Sequence, residues 1–146
     1  MRPRYCTTAD KENEALVGLQ IRRKLSAGFA LYMNNDPHGL DLWIADTKGD
    51  CVAEIEVKTR GHVFGTYPDL TISTKKIEKI RQAEGRGFLF IAYEDALYWV
   101  EITEERFESQ MGGRTRDQRD QWDIEMMDHI PTAAFTKWDE TKEFSL

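Results

Sequence analysis

Residues Cys51 to Lys58 carry the pattern that most limits the fold. Val52, Glu54, Glu56 and Lys58 alternate with Ala53, Ile55 and Val57. A period of two marks a half-buried strand. One face of this strand is apolar. The other sets two carboxylates and an amine in a row, which a strand with only a structural task has little use for. A second strand-like run, Leu40 to Ala45, precedes it across a turn and brings a further acid, Asp41.

The turn decides whether Asp41 joins the others. A tight reversal centred between Lys48 and Gly49 sets Asp41 opposite Glu56. Directly opposed residues on antiparallel strands share a face, with Cβ atoms ~5 Å apart. Asp41, Glu56 and Lys58 then converge on one spot. A three-residue loop closed by Gly49, with a bulge, competes with that turn. A slip of one residue would send Asp41 to the opposite face.

Asp41 followed by Glu56-Val57-Lys58 resembles the PD-(D/E)xK signature of the restriction-endonuclease-like superfamily, which includes restriction enzymes, Holliday-junction resolvases and phage nucleases. Asp41 follows His38-Gly39-Leu40 instead of a proline, and Pro37 lies slightly upstream. The resemblance covers roughly residues 10 to 100. It implies an α/β fold with an αβββαβ core, a mixed central sheet flanked by helices. It also implies a divalent-metal-dependent nuclease that hydrolyses phosphodiester bonds, an endonuclease on DNA, using Mg²⁺ or Mn²⁺. Asp41 and Glu56 would hold one ion, with the backbone carbonyl of Val57 as a third ligand. Lys58 would orient the attacking water or stabilise developing negative charge. Resemblance to resolvases further implies a homodimer.

Residues 9 to 26 read as a helix, with Thr8 or Asp10 placed to cap it and Val17, Ile21 and Leu25 forming an apolar stripe. Glu14 lies three residues before Val17, on the core-facing side, where an unpaired carboxylate is costly to bury. Two readings stay open: a rim residue that suits the helix dipole, or, by the resemblance, a further metal ligand. Phe29 to Met33 is a short strand or the end of the helical region, and 34–39 is a turn cluster. In that cluster His38 is a surface imidazole or a phosphate contact, and Asp36 is explained by turn chemistry. Glu54, one pleat from Glu56, either joins the site or pairs with Lys58 or Arg60. His62 and Tyr67 stand at the cleft edge at most.

After a short run ending at Ile72, residues 75–84 read as a helix with Ile77 and Ile80 inward. Lys75, Lys76 and Lys79 make it the most basic local stretch, a solvated face or a set of phosphate contacts. Phe88 to Tyr93 is a strand buried on both faces, and Leu97 to Ile102 is another. Thr103 is expected to cap a short helix, with Ile102 and Phe107 as a hydrophobic staple. Residues 111–123 form a polar loop. Its Arg114, Arg116 and Arg119 suit a nucleic-acid clamp, or merely mixed charge offset by Asp117, Asp120 and Asp123. Pro131 restricts the returning segment, Ile124 to Phe135, to edge pairing. The acidic tail covers the sheet or holds a partner subunit.

At 146 residues and 40% apolar content, the chain suits one domain over 1–146 with a real core. A formal charge of −6, from 20 basic and 26 acidic residues, means that contact with nucleic acid must rest on local clusters. No apolar run approaches the ~18 residues of a membrane span, and no signal peptide is evident at the N-terminus. Cys6 and Cys51 make no metal or disulfide pattern. These features suit a cytoplasmic protein with reduced thiols and no membrane partner. Two other classes fit the composition: a non-catalytic nucleic-acid- or protein-binding module on the same fold, and a phosphoesterase of small nucleotides.

Overall fold

The computed structural model describes residues 8–112 and 125–146. Among these residues the elements run α1 (Thr8–Lys24), β1 (Ala30–Met33), β2 (Leu42–Ala45), β3 (Cys51–Thr59), β4 (Asp69–Ser73), α2 (Thr74–Arg81), β5 (Arg86–Ala92), β6 (Leu97–Ile102), β7 (Glu108–Gly112), β8 (Glu125–Pro131) and β9 (Thr136–Lys137). The main sheet has the order β1-β2-β3-β5-β6-β9. β3 and β5 are parallel, with α2 in the crossover, and the other neighbours are antiparallel. This is the mixed α/β sheet that the αβββαβ pattern implies, with α1, β1, β2, β3, α2 and β5 in that order.

Alternation within β5 separates two cores. Phe88 and Phe90 face one side, with Val17 and Ile21 of α1 and with Ile55 and Val57 of β3. Leu89 and Ile91 face the other, with Ile77 and Ile80 of α2. A strand covered on both faces has no use for alternating polarity, so its apolar run is continuous. The tail covers the α1 side. Trp138 and Phe144 are buried against Phe90 and Phe88, and the Phe144 N–H donates to the Lys24 carbonyl at 2.7 Å.

The hairpin departs from the tight reversal. Thr47, Lys48 and Gly49 form a three-residue loop, with Gly49 at φ 84°. The Asp46 carboxylate organises it by accepting from the N–H groups of Lys48 (2.9 Å) and Asp50 (3.0 Å). Taken alone, this loop would shift the register by one residue. Ala45 faces Cys51, yet Ile44 faces Ala53, so Val52 is an extra residue in a bulge. The bulge undoes the shift. From Ile44 onward the pairing is the one that the two-residue turn would have set, with Leu42 opposite Ile55.

Three further expectations are corrected. β4 does not join the main sheet; it pairs with β8 in a second sheet of order β4-β8-β7, packed beside α2. β8 is thus a central strand, and Pro131 is tolerated because it lies past the end of β7, where no donor is needed on that side. No helix follows Thr103. The Arg81 guanidinium takes the carbonyls of Thr103 (2.9 Å) and Glu105 (2.6 Å), which a helix would need for its own ladder.

Candidate active site

β2 begins at Leu42, one residue after Asp41, and at Asp41 the side chain takes over from the ladder. The Val57 N–H donates to Asp41 Oδ2 at 2.8 Å. An otherwise unmatched strand donor thereby holds the Asp41 carboxylate against β3. The Asp41 carbonyl accepts from the Asn34 N–H at 2.9 Å, so its backbone is anchored as well.

Glu56 points to the opposite face from Ile55 and Val57, toward α2. It is 3% exposed. Its Oε1 lies 3.2 Å from Lys76 Nζ and 3.9 Å from Lys58 Nζ, while among the described residues its Oε2 meets no donor. Burial, and next the Asp41 charge, push the Glu56 carboxyl above the usual range; Lys76 and Lys58 pull it back. Glu14 reaches in from α1 and shares a hydrogen bond with Asp41. Burial first, and then the Asp41 charge, push its carboxyl up to about 7. Three acids thus crowd one spot, and two lysines balance part of their charge.

These groups line a cleft of about 760 Å³. Its walls include Asp10, Glu14, the 34–37 turn, Asp41, Glu56 to Arg60 and Lys76. Chemically, this is a pocket of hard oxygen donors with ammonium groups at its edge. Such a set suits a divalent cation with oxygen preference and an anionic ligand beside it. The unpartnered Glu56 Oε2 is the feature that fits a cation, since a buried carboxylate oxygen without a donor is costly unless something positive meets it.

Residues 1–138 match the family described as "Phage putative PDDEXK endonuclease". The chain belongs to that family. The fold of this PD-(D/E)xK chain is also similar to that of Hjc, a Holliday junction resolvase from the archaeal hyperthermophile Archaeoglobus fulgidus. That likeness has a TM-score of 0.56 at 16% identity, over 94% of this chain and 99% of that one. No curated protein sequence matches the chain.

Against the PD-(D/E)xK pattern, the structure brings Asp41, Glu56, Val57, Lys58 and Glu14 together at one cleft. Glu54 is elsewhere. It accepts the Glu84 N–H at 2.6 Å and secures the turn between α2 and β5, instead of pairing with Lys58 or Arg60. Of the α2 lysines, only Lys76 lines the cleft. Lys75 is exposed outside it, and Lys79 is half-buried and donates to the Gly39 carbonyl at 3.2 Å. Arg114, Arg116 and Arg119 lie outside the described residues. His38 is exposed and outside the cleft lining, and Asp36 accepts its N–H at 2.9 Å as turn chemistry requires. His62 and Tyr67 pack edge to face at 5.0 Å in an aromatic cluster with Tyr93, away from the cleft. Sequence reading counted Lys76 as a phosphate contact and missed its bond to Glu56. Only the docking of α2 over β3 reveals that bond.

Proposed function

We propose that this single-domain PD-(D/E)xK endonuclease is a cytoplasmic, divalent-metal-dependent deoxyribonuclease. The observation that carries the reading is the pairing of a locked Asp41 with a buried Glu56 that, among the described residues, keeps one oxygen free of donors, under Lys58. Mg²⁺ or Mn²⁺ would be held by Asp41 and Glu56, with the Val57 carbonyl beside them and Glu14 available through Asp41. Among the described residues no three His, Cys, Asp or Glu side chains, these three acids included, are spaced to hold an ion by themselves. That suits an ion which binds through one or two carboxylates and keeps several waters. When bound, the ion supplies Lewis-acid relief of phosphate charge and a more acidic water.

The chain's own groups do the rest. The Val57 N–H holds the Asp41 carboxylate in place ahead of the reaction, which lowers the reorganisation needed. Lys58, with a side chain 33% exposed, reaches from the buried site to the open cleft. It orients the attacking water and offsets the charge that develops on the phosphate oxygens. Lys76 offers a second cation to the DNA backbone, and Lys75 a more peripheral one.

The resolvase similarity favours DNA with branched or otherwise distorted structure as the substrate. It also favours a homodimer, whose two sites would cut two strands. The test is a cleavage panel of single-stranded, duplex, flapped and four-way DNA, plus RNA, with Mg²⁺, Mn²⁺ or EDTA. Wild type and Lys58→Ala run side by side with a metal titration. Metal-dependent cutting of DNA that the variant loses is the expected result. Absence of both cutting and metal binding would replace this reading with a binding module.

A further inference from the structure

Two lysines meet the same oxygen of Glu56, and they come from different elements. Lys58 follows on β3 itself, and the PD-(D/E)xK pattern accounts for it. Lys76 comes from α2, outside that pattern, and it is the nearer of the two, at 3.2 Å against 3.9 Å. It is therefore the main counter-charge of a carboxylate that is almost wholly buried. Its own side chain is 29% exposed and lines the cleft. One side of the ammonium faces Glu56, and the other is accessible from the substrate side.

The base of this lysine is rigidly held. Thr74, at the start of α2, donates from its hydroxyl to the buried Asp128 carboxylate at 2.5 Å, and Ser109 donates to the same oxygen at 2.7 Å. Ile77, the next residue after Lys76, is fully buried. The helix cannot easily shift, but the four-carbon stem of a lysine can swing.

A divalent cation at Glu56 would add two positive charges beside an ammonium already bonded to that carboxylate. The two cations compete for the same negative charge and repel each other at short range. We propose that Lys76 is an internal counter-ion: it neutralises Glu56 in the metal-free protein, holds down the affinity for the divalent ion, and is released toward a substrate phosphate when that ion binds. This rests on the metal-dependent nuclease reading above. Its consequence is that metal and polynucleotide bind cooperatively, because phosphate supplies the partner that Lys76 loses.

The experiment is a calorimetric titration of the full chain with Mn²⁺ at alkaline pH, where protons compete least. It compares wild type, Lys76→Met, Lys76→Gln and Lys76→Arg, each with and without a non-cleavable DNA duplex. Lys76→Gln keeps a hydrogen-bond donor for Glu56 while removing the charge, so it serves even if the methionine variant folds poorly. The expected result is Mn²⁺ binding about tenfold tighter in Lys76→Gln and Lys76→Met without DNA. DNA should tighten Mn²⁺ binding in wild type and Lys76→Arg but far less in the neutral variants. Unchanged or weaker Mn²⁺ binding in Lys76→Gln would overturn the proposal and leave Lys76 a structural partner of Glu56. A wild-type protein that binds no Mn²⁺, with or without the duplex, would instead overturn the metal-dependent nuclease reading itself.

Discussion

Asp41 and Val57 are joined by a 2.8 Å hydrogen bond from a strand N–H to a side-chain carboxylate, at the point where the β2–β3 ladder ends. The bond does two jobs, and two substitutions separate them. Asp41→Asn keeps an oxygen acceptor for the Val57 N–H while removing the charge. Asp41→Ala removes both and leaves the donor unmatched. In EDTA, Asp41→Ala should unfold at lower denaturant than Asp41→Asn, by about 1–3 kcal/mol. Both should lose metal binding. Equal stability of the two variants would show that the hydrogen bond has no structural weight.

Glu14 makes the metal-free protein sensitive to pH near neutrality. Its folded-state pKa of about 7 stands above the ordinary 4.5. The folded chain therefore holds a proton that the unfolded chain releases. Where the folded state binds more protons, stability falls as pH rises. Glu14 contributes no penalty below about pH 4.5, a growing one up to about pH 7, and a constant one beyond. Thermal midpoints in EDTA should therefore drop across this window in wild type more than in Glu14→Gln. Divalent-metal affinity should rise over the same range, because the ion requires ionised carboxylates. Parallel pH slopes for the two proteins would count against the shared Glu14–Asp41 proton.

Lys58 should matter to rate and hardly to fold. Its contact with Glu56 is loose at 3.9 Å and its side chain is 33% exposed, and pairs of that kind add little stability. Lys58→Ala should shift the thermal midpoint by no more than about 2 °C. It should lower the cleavage rate on the order of a hundredfold or more under saturating metal. A variant that melts much earlier, or cuts normally, would contradict this division of labour.

Glu54 and Gly85 predict the opposite pattern. Glu54 accepts the Glu84 N–H, and Gly85 has φ 74°, with the Val52 carbonyl oxygen only 2.2 Å from where a Cβ would sit. Glu54→Ala should cost about 1 kcal/mol. Gly85→Ala should cost more than about 2 kcal/mol, from the left-handed backbone and the clash together. Metal affinity at moderate temperature should be unchanged in Glu54→Ala. Chemical denaturation and a Mn²⁺ titration check both statements.

The alternation through Ala53, Ile55 and Val57, the continuous apolar run of β5 and the stripe of α1 are all local in sequence. Each depends only on which way successive side chains point, and a reader of the chain can assign all three. They lead to the sheet, its two cores and the grouping of Asp41 with Glu56 and Lys58. The register was different. The sequence leaves a tight turn and a three-residue loop with a bulge both open. The hairpin has the loop through Gly49 and a bulge at Val52, off by one residue in opposite senses, so it keeps the pairing that the tight turn would have set. A bulge is stabilised by what packs around it, so its position and its effect on the register do not follow from the turn residues alone. The roles of Glu54 and Lys76 were also hidden. Both sit on faces that look solvated until α2 docks, and docking joins residues about 20 to 30 apart along the chain. β4 left the main sheet for the same reason, since its partner β8 lies more than 50 residues away. Periodicity decides the element and its inward face, because both follow from one residue's backbone geometry. Which polar groups meet across elements follows from packing, and packing is a property of the whole fold.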